Sequence, residues 1–193
     1  MHRPVLITPP AIQPVTLAEA KLHLRVDHND EDALIESLLR AATEHLDGWT
    51  GILGRCLVEQ EWRHNSDVSG SCVMLPLGPV ISISGITAGG DTLDPSTYSL
   101  KTDAGGRSRV EFGVSVSGLV NVTYKVGYAT IPQDDGPPVV PAQSTVPAAL
   151  KVAILLLVGN WYANRETIVV GATVEKLPFA VESLIAPYRR VGV

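Results

Sequence analysis

Charge is scarce in this sequence. Asp, Glu, Lys and Arg make up 18% of the 193 residues, against about 25% in an ordinary soluble domain. That shortfall predicts a surface partly covered by other chains. Cysteine is scarcer still: Cys56 and Cys72 are the two present, too few for a disulfide framework or a cysteine-built zinc site. They read as reduced, partly buried thiols. Positive charge is also in deficit, with a net charge of −5, which argues against a free-standing nucleic-acid binder relying on phosphate contacts. The first residues carry no apolar core of a signal peptide, so use in a reducing cytoplasm is expected. No apolar run reaches the roughly 20 residues needed to span a bilayer, so no membrane partner is expected.

Reaction chemistry leaves as little trace. There is no GxxxxGK[ST] or GxGxxG to cradle phosphate and no GxSxG nucleophile elbow. None of His2, His23, His28, His45 and His64 stands in a catalytic context. His23, Asp27 and His28 are conceivable metal ligands, but a solvated helix end explains them better. The run from Asp27 to Asp32 imitates a calcium loop and fails as one, because its sixth position is Asp32 rather than Gly and its twelfth is Leu38 rather than Glu. The expectation is no enzyme, no cofactor and no metal.

What the chain does have is the stretch 146–166, VPAALKVAILLLVGNWYANRE. Pro147 suits a helix start, and Val152 to Val158 are apolar without a break, so nearly every face of this helix is greasy. Lys151, Asn160, Asn164 and Arg165 interrupt it too often for a membrane span. Burial within protein is expected, with a neighbouring subunit covering part of it.

Ahead of it, four prolines make residues 1–15 an extended arm. Thr16 and Glu19 form a capping box for a short helix over 17–24, with Leu17, Ala20, Leu24 and Leu22 facing inward. Residues 31–50 carry the helical period at Leu34, Ile35, Leu38, Leu39, Ala42, Leu46 and Trp49. From Cys56 to Tyr128 the period becomes 2. About six short strands are expected, with turns at 66–71, 89–91 and 105–106. Val120, Val122, Tyr124, Val126 and Tyr128 share one strand face. Residues 129–146 form a proline-rich loop, 167–177 a hairpin or extended arm, and Pro178 opens a last helix that Pro187 ends. The expected fold is α+β: a helical bundle built from 1–55 and 147–193 as one domain, with a small antiparallel β module inserted at 56–128. The tail from Pro187 onward is expected to be mobile in the free subunit.

This order resembles the head–tail connector, or adaptor, proteins of long-tailed bacteriophages and gene transfer agents. The residues carrying the resemblance are PVTLAEAK from Pro14 to Lys21, HLRVD from His23 to Asp27 and EDALI from Glu31 to Ile35. VPAAL from Val146 to Leu150, then Trp161, Tyr162, Asn164, Arg165 and Glu166, complete it, with Pro178 leading the last helix. The resemblance covers both helical ends well and the β-rich middle loosely. It implies a structural neck protein of the virion or virus-like particle: a ring, usually of twelve copies, that binds the portal, extends the DNA channel and docks the stopper or tail. DNA would pass without sequence-specific binding, along a lumen expected to be acidic. By the same resemblance, Tyr188 and Val191 would enter an apolar recess of the portal while Arg189 and Arg190 meet its carboxylates. Arg165 and Glu166 would pair at the helix end or across the ring. The competing readings are a stopper or tail-completion protein, and a small-ligand domain with a pocket near Trp62 and Tyr124.

Overall fold

Two long strands set the architecture. In the computed structural model, which describes residues 2–134, 142–165 and 179–190, they are β2 (Gln60–Met74) and β6 (Ser108–Val126). They pair antiparallel along nearly their whole length, from Gln60 opposite Val126 to Met74 opposite Arg109. The other strands are β1 (Val5–Thr8), β3 (Val80–Ala88), β4 (Asp91–Thr92) and β5 (Tyr98–Thr102). Together they make a six-stranded sheet in the order β1-β2-β6-β3-β4, with β5 also paired to β6. A separate two-stranded ribbon joins β7 (Thr130–Ile131) to β8 (Gln143–Ser144).

The expected helical bundle with a small β insert is therefore corrected. Strand outweighs helix, 37% against 31%, and the sheet is large and curled. The miss has a local cause. Ser66 to Ser71 (SDVSGS) has turn composition, yet it runs extended inside β2 because Ser66 to Gly70 pair with Val120 to Val116. Polar residues on an open sheet face cost nothing when the ladder satisfies their backbone. Within β6, the segments at 109–112 and 119–128 fuse for the same reason. A register shift between Gly70 and Cys72 bends the pair, as a bulge does. The two-glycine turn at Gly89 and Gly90, both at positive φ, forms as expected between β3 and β4.

Among the described residues the α-helices are α1 (Leu17–Leu24), α2 (Asp32–Leu46), α3 (Ala148–Ala163) and α4 (Phe179–Ile185). The capping box is complete, with Glu19 N donating to Thr16 Oγ1 at 3.2 Å and Thr16 N donating to Glu19 Oε2 at 2.7 Å. Ala20 is buried, but Leu22 is 82% exposed, against expectation. Helix α2 stops at Leu46, short of Trp49, because Asp47 turns to extended backbone and spends its carboxylate on β2. Gly51 permits the tight return: a Cβ there would meet the Asp47 carbonyl at 2.3 Å. Gly127 does likewise at the end of β6, where a Cβ would lie 2.1 Å from the Val58 carbonyl.

Two hydrophobic cores result. The helical core gathers Ile35, Leu39, Ala42 and Leu46 of α2 against Leu150, Ala153, Ile154, Leu157 and Val158 of α3, closed by Val181 and Ile185 of α4. Each fully buried Leu or Ile contributes about 1.5–3 kcal/mol. The sheet core gathers Val120, Val122, Tyr124 and Val126 with Leu75, Leu77 and Ile86. Although α3 is apolar all round, it buries a single stripe in this chain, while Val152 stays 43% exposed.

One inward-facing polar side chain is out of character with the sheet core. His64 on β2 is 1% exposed, and its Nδ1 has no partner. Burial, then the neighbouring His2, pull its pKa down to about 4. The folded protein thus disfavours a proton that the unfolded chain accepts near pH 6.5. Stability from this source is full above pH 6.5 and is lost as pH falls through about 4. We expect His64→Gln to remove on the order of 2–3 kcal/mol of the acid-induced loss between pH 6.5 and pH 4. Urea titrations at several pH values, compared with wild type, check this.

Candidate assembly surfaces

The residues singled out in the sequence lie in two places. At the end of α3, Arg165 Nη2 donates to Glu31 Oε1 at 2.6 Å, and the guanidinium stacks over the Tyr162 ring at 4.7 Å. Tyr162 donates its hydroxyl proton to the same carboxylate. These hydrogen bonds, Tyr162 first and Arg165 second, hold the Glu31 pKa below the usual range. Arg165 is therefore engaged within the subunit, tying the end of α3 to the start of α2. Glu166 lies outside the described residues, as does the expected hairpin or arm over 167–177.

The second place is the C-terminal segment. After α4, a single 3-10 turn (Ala186–Tyr188) brings the chain back onto the body. Tyr188 packs against the helical core. Arg190 N donates to the Leu53 carbonyl at 3.0 Å. Its guanidinium Nη2 donates to the Leu75 carbonyl at 2.8 Å, and Nη1 donates to the carbonyl of Pro76. Burial, followed by the nearby charges of Arg55 and Arg107, lowers the Arg190 pKa. A tail free from Pro187 onward is thus corrected: the chain is anchored through Arg190, which links the C-terminal helix to the far end of β2. Composition signals a charged tail, but not that two orphan carbonyls wait for it. Arg189 is exposed, and Val191 lies outside the described residues.

Between the N-terminal arm and α2 lies a recess of about 400 Å³, with Pro10, Thr43, Asp47, Trp49 and Trp62 in its wall. Sequence reasoning missed Asp47, which is the polar centre of this junction. Its carboxylate accepts from Leu57 N and, at 3.0 Å, from Gln60 Nε2, while Gln60 Oε1 accepts from Trp62 Nε1 at 3.0 Å. Burial raises the Asp47 pKa against the opposing pull of these bonds. The carboxylate is committed to structure, and no nucleophile and base are set side by side in the recess. His23 and His28, raised above as conceivable ligands, join no metal-binding group. Among the described residues, no three His, Cys, Asp or Glu side chains gather where a metal could sit. Tyr124 lies in the sheet core and lines none of this recess.

Asp47, Arg165 and Arg190 thus serve contacts within the subunit. A family model for head completion proteins matches residues 14–191, and the chain belongs to that family, whose role is that of a structural head–tail adaptor. Among solved structures, one similar chain comes from the neck of an empty gene transfer agent particle computed with C6 symmetry. It is 24% identical with a TM-score of 0.74, over 100% of this chain and 97% of that one. A second, from the virion of a native gene transfer agent particle, is 22% identical with a TM-score of 0.75, over 100% and 97%. A third, from a native neck computed with C12 symmetry, is 20% identical with a TM-score of 0.64, over 97% of each chain. No curated protein matches the chain.

We expect Arg190→Ala to destabilise the isolated subunit by about 2 kcal/mol, since a charged donor leaves two carbonyls unpaired. Arg189→Ala should change stability by less than about 0.5 kcal/mol. Chemical denaturation of the two variants in parallel checks the difference.

Proposed function

We propose that this protein is the head–tail adaptor of a phage-like particle. Its copies form a closed ring, twelve in number, beneath the portal vertex. The ring extends the DNA channel and presents a docking surface for the stopper or tail. The observation that carries the reading is the family match across residues 14–191, supported by end-to-end likeness to chains of gene transfer agent particles, two of them described as necks. The surface agrees with it. A helix as apolar as α3, with one stripe buried in its own subunit and Val152 half-exposed, has cover to gain from neighbours. A net charge of −5 suits a lumen through which DNA slides without sticking. The strand-rich fold removes the contrast that helical ends would draw with a stopper, so the adaptor reading rests on the family rather than on helix content.

Portal contact is assigned to the C-terminal end. Because Arg190 is turned inward, exposed Arg189 is the cation assigned to a portal carboxylate. Arg189→Glu should leave the melting temperature of the subunit unchanged and weaken capture by purified portal at least about tenfold, the loss of one charged pair of about 1.4 kcal/mol or more. Native mass spectrometry of the wild-type complex should count a twelve-fold ring on the portal. A single copy or a two-fold dimer there would refute the ring.

A further inference from the structure

Among the described residues, two margins of the sheet leave apolar strand without an outer partner. One is the outer side of β1, where Val5, Leu6 and Ile7 are each 42–44% exposed. The other is β3 from Val80 to Gly85. There β4 covers only Thr87 and Ala88, and Ile81 is 38% exposed. Neither VLIT nor VISISG contains a charge or a proline. Among the described residues, no further strand pairs with either edge. Each edge is irregular, with a register shift between Leu6 and Thr8 in β1 and shifts between Val80 and Ser82 and between Ile83 and Gly85 in β3, yet the N–H and C=O groups on the outer side of a strand remain able to accept another strand.

We propose that in the ring, β1 of each copy pairs with β3 of the next, so that the sheets join into one continuous band. This rests on the ring reading above, and it names the surface that closes the ring. Strand direction supports it. Successive pairs β1–β2, β2–β6 and β6–β3 are all antiparallel, so β1 and β3 run in opposite senses. Rotation about a ring axis preserves each strand's sense along that axis. The β1 of a rotated copy therefore meets β3 antiparallel, and the alternation continues unbroken. A closed ring needs two different patches that fit each other, and these edges are such a pair.

Side-chain faces agree as well. Leu6 stands opposite Trp62 and therefore on the inner face with it, while Tyr124 places Ile83 on that same face. Pairing would set Leu6 of one copy beside the inner apolar residues of β3 in the next. The arm is held for this role along β2: Val5 and Leu6 pair with Arg63 and Trp62, and His2 Nε2 contacts Asp67 at 3.1 Å.

Cysteine pairs test it in the assembled protein, with exposed Cys72 replaced by Ser and buried Cys56 kept. Leu6→Cys is combined in turn with Ile81→Cys, Ser82→Cys or Ile83→Cys, three successive positions that sample both faces. Under mild oxidation, at least one pair should give a ladder of disulfide-linked multimers up to the full ring, and no single variant should do so. Hydrogen exchange on unmodified protein should show Val5–Thr8 and the 80–85 edge gaining protection together on ring formation. Closed rings with no ladder from any pair and no added protection at these edges would overturn the edge pairing while leaving the ring intact. Cross-linked dimers from Leu6→Cys alone would instead indicate two-fold β1–β1 pairing and overturn it. Absence of rings with or without portal would overturn both the ring and this interface.

Discussion

The structure hangs on a half-buried carboxylate. Asp47 ends α2 and reaches the start of β2, accepting from Leu57 N and Gln60, which in turn holds Trp62. A carboxylate withdrawn from water is costly unless its hydrogen bonds are supplied. The start of β2 must therefore sit where it does relative to the helix end. That constraint ties the end of α2 to the start of β2. Gly51 exists to let the chain double back under Asp47.

Arg190 performs the matching task at the opposite end of the chain. It carries the C-terminal segment across to the carbonyls of Leu75 and Pro76, where β2 leaves the sheet. The helical part is thus fastened to β2 near both its ends, by an acid at the start and a base at the finish. The Glu31, Tyr162 and Arg165 cluster adds a third tie, within the helical part itself. A subunit braced this way keeps its outer surfaces in fixed relation to one another. The proposed ring would require this, because a small angular error repeated around a ring leaves it open.

The head completion family is one of structural proteins. Asp47, His64 and Arg190 have their proton affinities shifted first by burial, and each is explained by packing. Such shifts mark catalytic sites in enzymes. In this chain they mark junctions, which is the alternative origin of perturbed groups.

Local signals determined where the helices lie, though not every end. The capping box at Thr16 and Glu19, the stripe along α2 and the apolar α3 can be read from neighbouring residues, whereas the stop of α2 at Leu46 depends on the contacts of Asp47. Motifs at both ends were likewise enough to indicate the adaptor family. The extent of the sheet was decided only by tertiary structure. SDVSGS is turn-like by composition, and it is a strand because β6 offers it a ladder from about fifty positions away in sequence. The same holds for the site residues. Arg165 and Arg190 could be seen to be charges at helix ends, but their partners Glu31, Leu75 and Pro76 lie more than a hundred residues away. No local pattern records which distant carbonyl or carboxylate lacks a partner; only the folded chain, by bringing both into one desolvated place, makes that choice.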